Sequence, residues 1–489
     1  MSEKVTAFKS SLSLTDATMI VAGSMIGSGI FIVSTDILRH VGSAGWLVLV
    51  WVITGFMTVI AAVSYGEMSG MFPRAGGQYV FLREAYNPLA GFLYGWSSFM
   101  VIQTATIAAV GVAFSRFTAY LIPAVGEDRM VADIFGLHIS AAQILAMAMI
   151  MFLTYTNTKG IKEGKTLQTI FTSVKLFSLF GLIVVGFLFV KDSFWSTNWT
   201  TGFHPTQLEK AGGEFMKGGN WFPISGSVLI GAVAASMVGS LFSSDAWNNV
   251  TFIASEIKNP KRNIGLALFL GTFIVCTTYV LTNLMYINVL PLQEIAFPGG
   301  DRVAVAASNR IFGDAGAIVI AVMIMISTFG CNNGLILAGA RVYYTMANDG
   351  LFFKRAAKLN RNAVPEWALW AQAVVASVLC LSGGYNDLLD MIAFVVVIFY
   401  VLTIIGIFIL RIKRPDAERP YRAFGYPVIP LIYIIMGTVF CVFLVFFKPL
   451  YTLWGLGIVV AGIPVYYLTV AGYKSGKYNV KEQTKNNND

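Results

Sequence analysis

The stretch Gly23-Ser-Met-Ile-Gly-Ser-Gly-Ile30 decides the fold, because it sets three glycines and two serines in eight residues near the middle of an apolar run. Glycine costs about 1 kcal/mol per position in a helix interior and leaves the helical region of backbone space freely. The run around it is long enough to cross a bilayer, so it reads as a transmembrane helix broken at mid-depth. A second such stretch, Gly239-Ser-Leu-Phe-Ser-Ser-Asp-Ala246, begins 216 residues later, from 23 to 239. In hydrocarbon an unwound backbone is tolerated only where it is buried in protein or lines a cavity, since unpaired amides and carbonyls are costly there. Two matched breaks therefore predict a ligand site near the midplane, between the helices that carry them.

Composition agrees with a lipid solvent. Of 489 residues 56% are hydrophobic and 12% charged, and the mean hydropathy is +0.70. A soluble chain of this length carries roughly twice that charged fraction. Apolar runs that can span about 30 Å lie near 14–39, 44–68, 88–122, 140–158, 166–190 and 223–255, then near 264–289, 315–346, 367–384, 388–411, 426–447 and 451–473. The predicted fold is an all-α membrane protein of twelve transmembrane helices, with the first and sixth broken. The breaks open two successive sets of five, which suggests a 5+5 inverted repeat. Helices 1–5 fall in 13–191, helices 6–10 in 222–411 and helices 11–12 in 425–473, all within one transporter domain over 1–480. A polar tail, 481–489, is expected to be disordered.

The net charge of +9 does not point to nucleic acid, because the basic residues lie in short loops between apolar runs and not on one soluble face. Alternating the loops puts about 24 Lys and Arg, among them Lys159, Lys162, Lys258, Lys261, Arg262, Lys413 and Lys477, on the side that holds both termini, against about 8 opposite. By the positive-inside rule both termini face the cytoplasm, and the protein is placed in the inner (plasma) membrane. The first residues lack a signal-peptide pattern, so helix 1 is read as the first membrane element. Cys276, Cys331, Cys380 and Cys441 sit in apolar runs without a CxxC pair, and His40, His138 and His204 are far apart; buried thiols are expected, with no metal site and no cofactor. Clustered acid–base residues of a membrane enzyme are absent from the sequence pattern, as is a channel filter. The loop 191–221 holds Trp195, Trp199 and Trp221, read as interfacial anchors.

The exposed ends of the breaks define the ligand. Free amides around Ser28, Gly29 and Ile30, at the start of a half-helix, favour an anionic group such as a carboxylate. Released carbonyls of Met25, Phe242 and Ser243 favour an ammonium. A molecule with both charges a few ångströms apart is an α-amino acid. Close helix packing of the small-xxx-small kind also explains Gly23, Gly27 and Gly29. It does not explain a second run at the corresponding helix that includes an aspartate.

Two charges lie inside the membrane. Lys175, near the centre of helix 5, is too deep to snorkel and must face the protein interior. It is read as a fixed cation in place of a sodium ion, a proton-coupling group, or a donor to carbonyls. Asp245 is the acid within the second break. It is read as a partner for a cationic substrate side chain, as paired with a nearby donor, or as the cap of a half-helix beginning at Ala246. Glu67 and Glu256, at helix ends, are expected to pair with Arg or Lys; Asn332 and Asn333 either line the cavity or bond between helices.

Six motifs in order, GSMIGSGIF (23–31), MFPRAGGQYVFLREAYN (71–87), the lysine of SVKL (173–176), SLFSSDAWNNVTFIASEIKNPKRNI (240–264), STFGCNNG (327–334) with ARVYYTMANDG (340–350), and RPYRAFGYPVIP (419–430), resemble the L-type amino acid transporter family of the amino acid/polyamine/organocation superfamily. The resemblance runs from helix 1 to helix 12. It implies the leucine-transporter fold and sodium-independent amino acid transport, commonly by obligatory exchange. It assigns the substrate site to Met25, Ile26, Gly27, Ser28, Gly29, Ile30, Phe242, Ser243, Ser244 and Asp245. Within that set Ser28 and Gly29 match amides for the carboxylate, Met25, Phe242 and Asp245 match carbonyls for the amine, and Phe242 matches an aromatic gate. Lys175 matches the helix 5 lysine that stands where sodium-coupled relatives hold an ion. Family members with a disulfide-linked heavy chain use a cysteine between helices 3 and 4. Here LIPAVGEDRMVADIFGLHIS (121–140) has none, so no such partner is expected, and a prokaryotic type is implied. Ser243-Ser244-Asp245-Ala246 departs from the commoner pattern and resembles members that accept cationic as well as neutral amino acids.

Overall fold

The first helix starts where its capping chemistry puts it. In the computed structural model, which describes residues 12–134, 137–159, 164–381 and 385–474, the Ser13 side chain accepts from the Asp16 amide at 3.2 Å while the Asp16 carboxylate takes the Ser13 amide at 2.8 Å. This reciprocal pairing satisfies two of the donors that a helix start leaves open. α1 (Leu14–Met25) then stops at the glycine-rich stretch, and α2 (Ser34–Val41) resumes the path until Gly42, in the left-handed conformation, ends it. α3 (Ala44–Met71) and the short α4 (Gln78–Ala85) follow. α5 (Pro88–Ser97) and α6 (Gln103–Leu121) form one long span joined by a π turn over 98–102.

A hairpin of β1 (Met130–Ile134) and β2 (Leu137–Ser140) precedes α7 (Ala141–Thr158) and α8 (Gly164–Leu188). The segment expected as an open loop over 191–221 is more ordered than its Gly and polar content predicts. It carries α9 (Trp195–Trp199) and the antiparallel pairs β3 (Thr206–Leu208) with β6 (Trp221–Pro223) and β4 (Lys210–Ala211) with β5 (Glu214–Phe215). The second half of the chain contains α10 (Gly226–Ser243), α11 (Asn249–Phe252), α12 (Pro260–Val289), α13 (Leu292–Ala296), α14 (Val303–Asn348), α15 (Glu366–Leu381), α16 (Tyr385–Lys413), α17 (Val428–Phe447) and α18 (Pro449–Lys474). α14 begins well before the expected 315, and the chain turns at Gly313 (φ 71°) to enter the long apolar part. The tail 481–489, Lys162 and Lys477 lie outside the described residues.

Among the described residues nine helices are long and apolar enough to cross a membrane. The runs near 367–384 and 451–473 correspond to shorter apolar helices, and the run near 14–39 to the split α1–α2. Packing follows a regular rule. α2 packs on α10, α3 on α12, α6 on α14 and α7 on α15, so each of the first four spans meets the one five places later. α8 packs against α1, α12 and α14, whereas α16 packs against α10, α3 and α6. Exchanging the two sets of five leaves that pattern unchanged, as a 5+5 repeat requires. α17 and α18 lie outside, with Phe446, Trp454 and Leu468 exposed.

Lipid-facing and inward faces separate cleanly on α8. Phe177 and Phe180 are exposed, while Lys175, Leu179 and Leu182, three to four residues apart, are buried. At the basic end of the bundle, buried Glu67 accepts two bonds from Arg411 (2.9 and 2.6 Å) and one from the Ala423 amide (2.8 Å), and Glu256 pairs with Arg341 at 3.0 Å. These are the expected partners. The same end ties the two broken helices together: Leu12 donates to Glu256 O at 2.9 Å and accepts from the Lys258 amide at 2.8 Å.

Candidate functional site

The first break is built from backbone groups. After Met25 the amide of Ile26 still reaches Ala22 O (3.0 Å), and that of Gly27 turns back onto Met25 O (2.8 Å). The amides of Ser28, Gly29 and Ile30 have no hydrogen-bond partner among the described residues, and all three residues are buried. A short 3-10 turn over Gly29–Phe31 then leads into α2. Three consecutive free amides at a helix start form an anion-binding concavity. Glycine is required at 29 because a Cβ there would lie 1.9 Å from Ser243 Oγ and 3.0 Å from Ser243 Cα, so the two broken helices touch through it.

The second break is built differently. Ser240 and Ser243 bond back to Met237 O (3.2 Å) and Gly239 O (2.7 Å), an arrangement that bends helices. The Ser244 amide closes the last turn of α10, and the Asp245 amide donates to Phe242 O at 3.2 Å. Ala246 then takes φ 64°, a left-handed conformation uncommon outside glycine, and helix returns only at Asn249. The expectation that a half-helix begins at Ala246 is thereby corrected: the strained Ala246 interrupts it. Asp245 is accordingly no cap. Its Oδ1 accepts a hydrogen bond from the Tyr400 hydroxyl on α16.

The structure brings together some of the expected residues and separates others. Lys175 Nζ donates to Gly23 O (3.2 Å) and Ile26 O (3.1 Å), so the buried ammonium braces the carbonyls where α1 ends. Cys331 of α14 closes the other side, its Sγ 3.5 Å from Ser24 O and 3.3 Å from where a Cβ on Gly27 would lie. Asp245 and Lys175 are not paired with each other. Asn332 donates to Ile107 O (3.1 Å) and Asn333 accepts from Asn157 (2.8 Å), so both bond between helices. Phe242 is buried and meets Tyr385 edge to face, centroids 6.1 Å apart.

Three tyrosines escaped the sequence reading. Tyr279, in the middle of α12, places its hydroxyl 3.0 Å from Met25 O and 3.1 Å from Ser243 O, one carbonyl from each break. One phenolic proton is shared between the two acceptors, and Met25 O also accepts from the Gly27 amide, so Ser243 O is the less satisfied of the pair. Tyr385 joins Ser28 Oγ at 3.0 Å and lies under the Arg116 guanidinium, 5.4 Å from its ring centre. Tyr400 carries Asp245. The available signal was position: tyrosine belongs at membrane interfaces, and a hydroxyl at mid-span needs a partner.

Two cavities of about 20 Å³ meet at Asp245 and Tyr400. One is mainly apolar, with Phe242, Trp247, Ile392 and Tyr433 on its wall. The other is lined by Gln78, Gln103, Asn248 and Asn249. Each has room for about one water.

With this geometry in place the comparison with known families is decisive, because a single family model, described as amino acid permease, matches residues 12–472. The chain belongs to the amino acid permease family. It is thus a multi-pass membrane permease and not an enzyme. The Asc-type amino acid transporter 1 of Mus musculus is 28% identical over 470 residues, covering 96% of this chain and 82% of that protein. The large neutral amino acids transporter small subunit 2 of Homo sapiens is 27% identical over 466 residues (95% and 81%). The b(0,+)-type amino acid transporter 1 of Homo sapiens is 27% identical over 483 residues (97% and 90%). The L-type resemblance drawn from the six motifs is borne out by these permeases.

Proposed function

We propose that this permease carries L-amino acids across the inner membrane by alternating access, as a sodium-independent exchanger of neutral and also cationic substrates. The observation that carries the reading is the pairing of the breaks: free amides at Ser28, Gly29 and Ile30 stand on one side, and on the other are the Met25 and Ser243 carbonyls that Tyr279 bridges. The substrate carboxylate takes the amides. Its ammonium, with three donors, takes the Met25 and Ser243 carbonyls in place of the phenol. Ile26, Gly27, Phe242 and Ser244 complete the wall, with Phe242 closing the outer path as the α1–α2 and α10–α11 halves rock against the rest.

Lys175 supports sodium independence, because its ammonium already fills the carbonyl positions at which a metal cation would sit. Proton symport through Lys175 is the second reading. No acid pairs with that lysine among the described residues, which favours the fixed cation. Both termini are assigned to the cytoplasm from the charge count, and no disulfide-linked heavy chain is assigned.

Proteoliposomes with and without internal amino acid test the reading. Obligatory exchange expects labelled uptake only into loaded vesicles, unchanged by sodium. Equal uptake into empty, pH-balanced vesicles would overturn exchange, and uptake into empty vesicles driven by an inward proton gradient would favour symport.

A further inference from the structure

Asp245 is a half-buried carboxylate whose immediate partner is neutral. Its Oδ1 accepts from Tyr400, and no Lys, Arg or His lies within ion-pair distance among the described residues. The titratable groups that face it come from four elements: Tyr65 of α3, Tyr94 of α5, Tyr400 of α16 and Tyr433 of α17. The π turn, α6 and α14 contribute only Ile102, Gln103, Thr106 and Leu335 to the adjoining cavity. The nearby acids on the same helices are already matched, Glu67 by Arg411 and Asp390 by Lys448 at 2.7 Å. An ionised carboxylate held in such a place without a counter-charge is unfavourable, and it is relieved either by a cation or by a proton. Each of the two cavities that meet at this side chain has room for about one water, which can deliver a proton to the carboxyl.

We infer that Asp245 carries a proton whenever a neutral amino acid fills the site and gives it up when the substrate brings its own side-chain cation. The inference rests on the exchange reading above and deepens it. In each loaded state the Asp245 subsite is then electrically neutral: COOH with a neutral side chain, or COO⁻ with an ammonium or guanidinium. Arginine entering in exchange for alanine takes one positive charge inward. The departing alanine takes the Asp245 proton outward, and that proton is drawn from the water on the inner side and released on the outer side. The exchange balances in charge and moves one proton against each arginine. Exchange of alanine for alanine moves a proton in both directions and none in sum. The coupling proton therefore sits on the helix 6 carboxyl and not on Lys175.

The test uses the full chain in vesicles loaded with L-alanine and a pH-reporting dye, with the membrane potential clamped by potassium and valinomycin. External L-arginine is expected to make the lumen more alkaline by one proton per arginine imported, at a rate independent of the clamped potential. External L-alanine should leave lumenal pH unchanged. Arginine entry without alkalinisation, accelerated by an inside-negative potential, would overturn the inference. If arginine does not exchange at all, the cationic part of the functional reading fails by itself. The proton is then decided by alanine–alanine exchange against pH. The wild type is expected to lose apparent affinity by about tenfold per pH unit once the carboxyl titrates, and Asp245→Asn to lose that dependence. Identical pH profiles for the two proteins would sink the proposal, and the wild-type proton count stands even if the variant fails to fold.

Discussion

The two helix breaks answer the same problem with different materials. In the first, the recognising groups are backbone amides, and the support is a lysine that donates to Gly23 O and Ile26 O from α8. In the second, the chain turns through a left-handed Ala246 and offers a carboxylate to a tyrosine on α16. Backbone amides suit the part that every amino acid shares, its carboxylate. A side chain flanked by an apolar and an amide-lined cavity suits the part that varies. The difference separates binding common to all substrates from selection among them, and variants at the two breaks should fail in different ways.

The largest effect is expected at their contact. Gly29→Val would drive a side chain into Ser243, whose Cβ lies 2.6 Å from the new Cβ. Uptake of every amino acid should fall more than about 100-fold, given an overpacking cost of about 1–3 kcal/mol compounded by loss of the amide geometry. Partial recovery by a second change, Ser243→Gly, would confirm that the contact is responsible. Removing the brace comes next. Lys175→Met leaves two buried carbonyls unpaired, at about 1–3 kcal/mol each, and should lower exchange about 10- to 100-fold for neutral and cationic substrates alike. Activity restored by added sodium would sharpen the fixed-cation reading. Full activity without sodium would break it.

At the second break the loss should be selective. Asp245→Gly is expected to reduce arginine and lysine uptake about tenfold, the worth of a charge-assisted bond, while alanine and leucine change less than about twofold. Equal losses for all four would return Asp245 to a structural role. Tyr279→Phe, which removes the phenol that the substrate ammonium must displace, should lower the KM of every substrate about fivefold, in keeping with about 1 kcal/mol for one hydrogen bond. The smallest effect belongs to Gly27→Ala, whose Cβ would meet only the movable Sγ of Cys331 at 3.3 Å.

Much of this was legible because the signals are local. Glycine and serine clusters inside apolar runs marked the breaks, and the free amides fall at Ser28, Gly29 and Ile30, the positions expected from half-helix polarity. A lysine about ten residues from the nearer end of its span is too deep to snorkel and must face inward, and Lys175 does. What sequence could not supply are partners fixed by packing. Tyr279 lies 254 residues from Met25, and Tyr400 lies 155 from Asp245. In a chain with 20 tyrosines, their hydroxyls are indistinguishable from interfacial ones until the helices are placed. The geometry after Asp245 was misjudged for a related reason: alanine favours helix, and only tertiary packing holds Ala246 at positive φ. The hairpins over 206–223 escaped because short polar strands carry little periodicity.

Competition against labelled L-alanine exchange tests the central claim most directly, using L-alanine, its methyl ester, propionate, L-leucine and L-arginine. The account predicts that blocking the carboxylate or deleting the amine weakens competition by more than about 100-fold, whereas changing the side chain alters it by less than about tenfold. Propionate or the ester competing as well as alanine would contradict a zwitterion held between Ser28–Ile30 and the Met25 and Ser243 carbonyls.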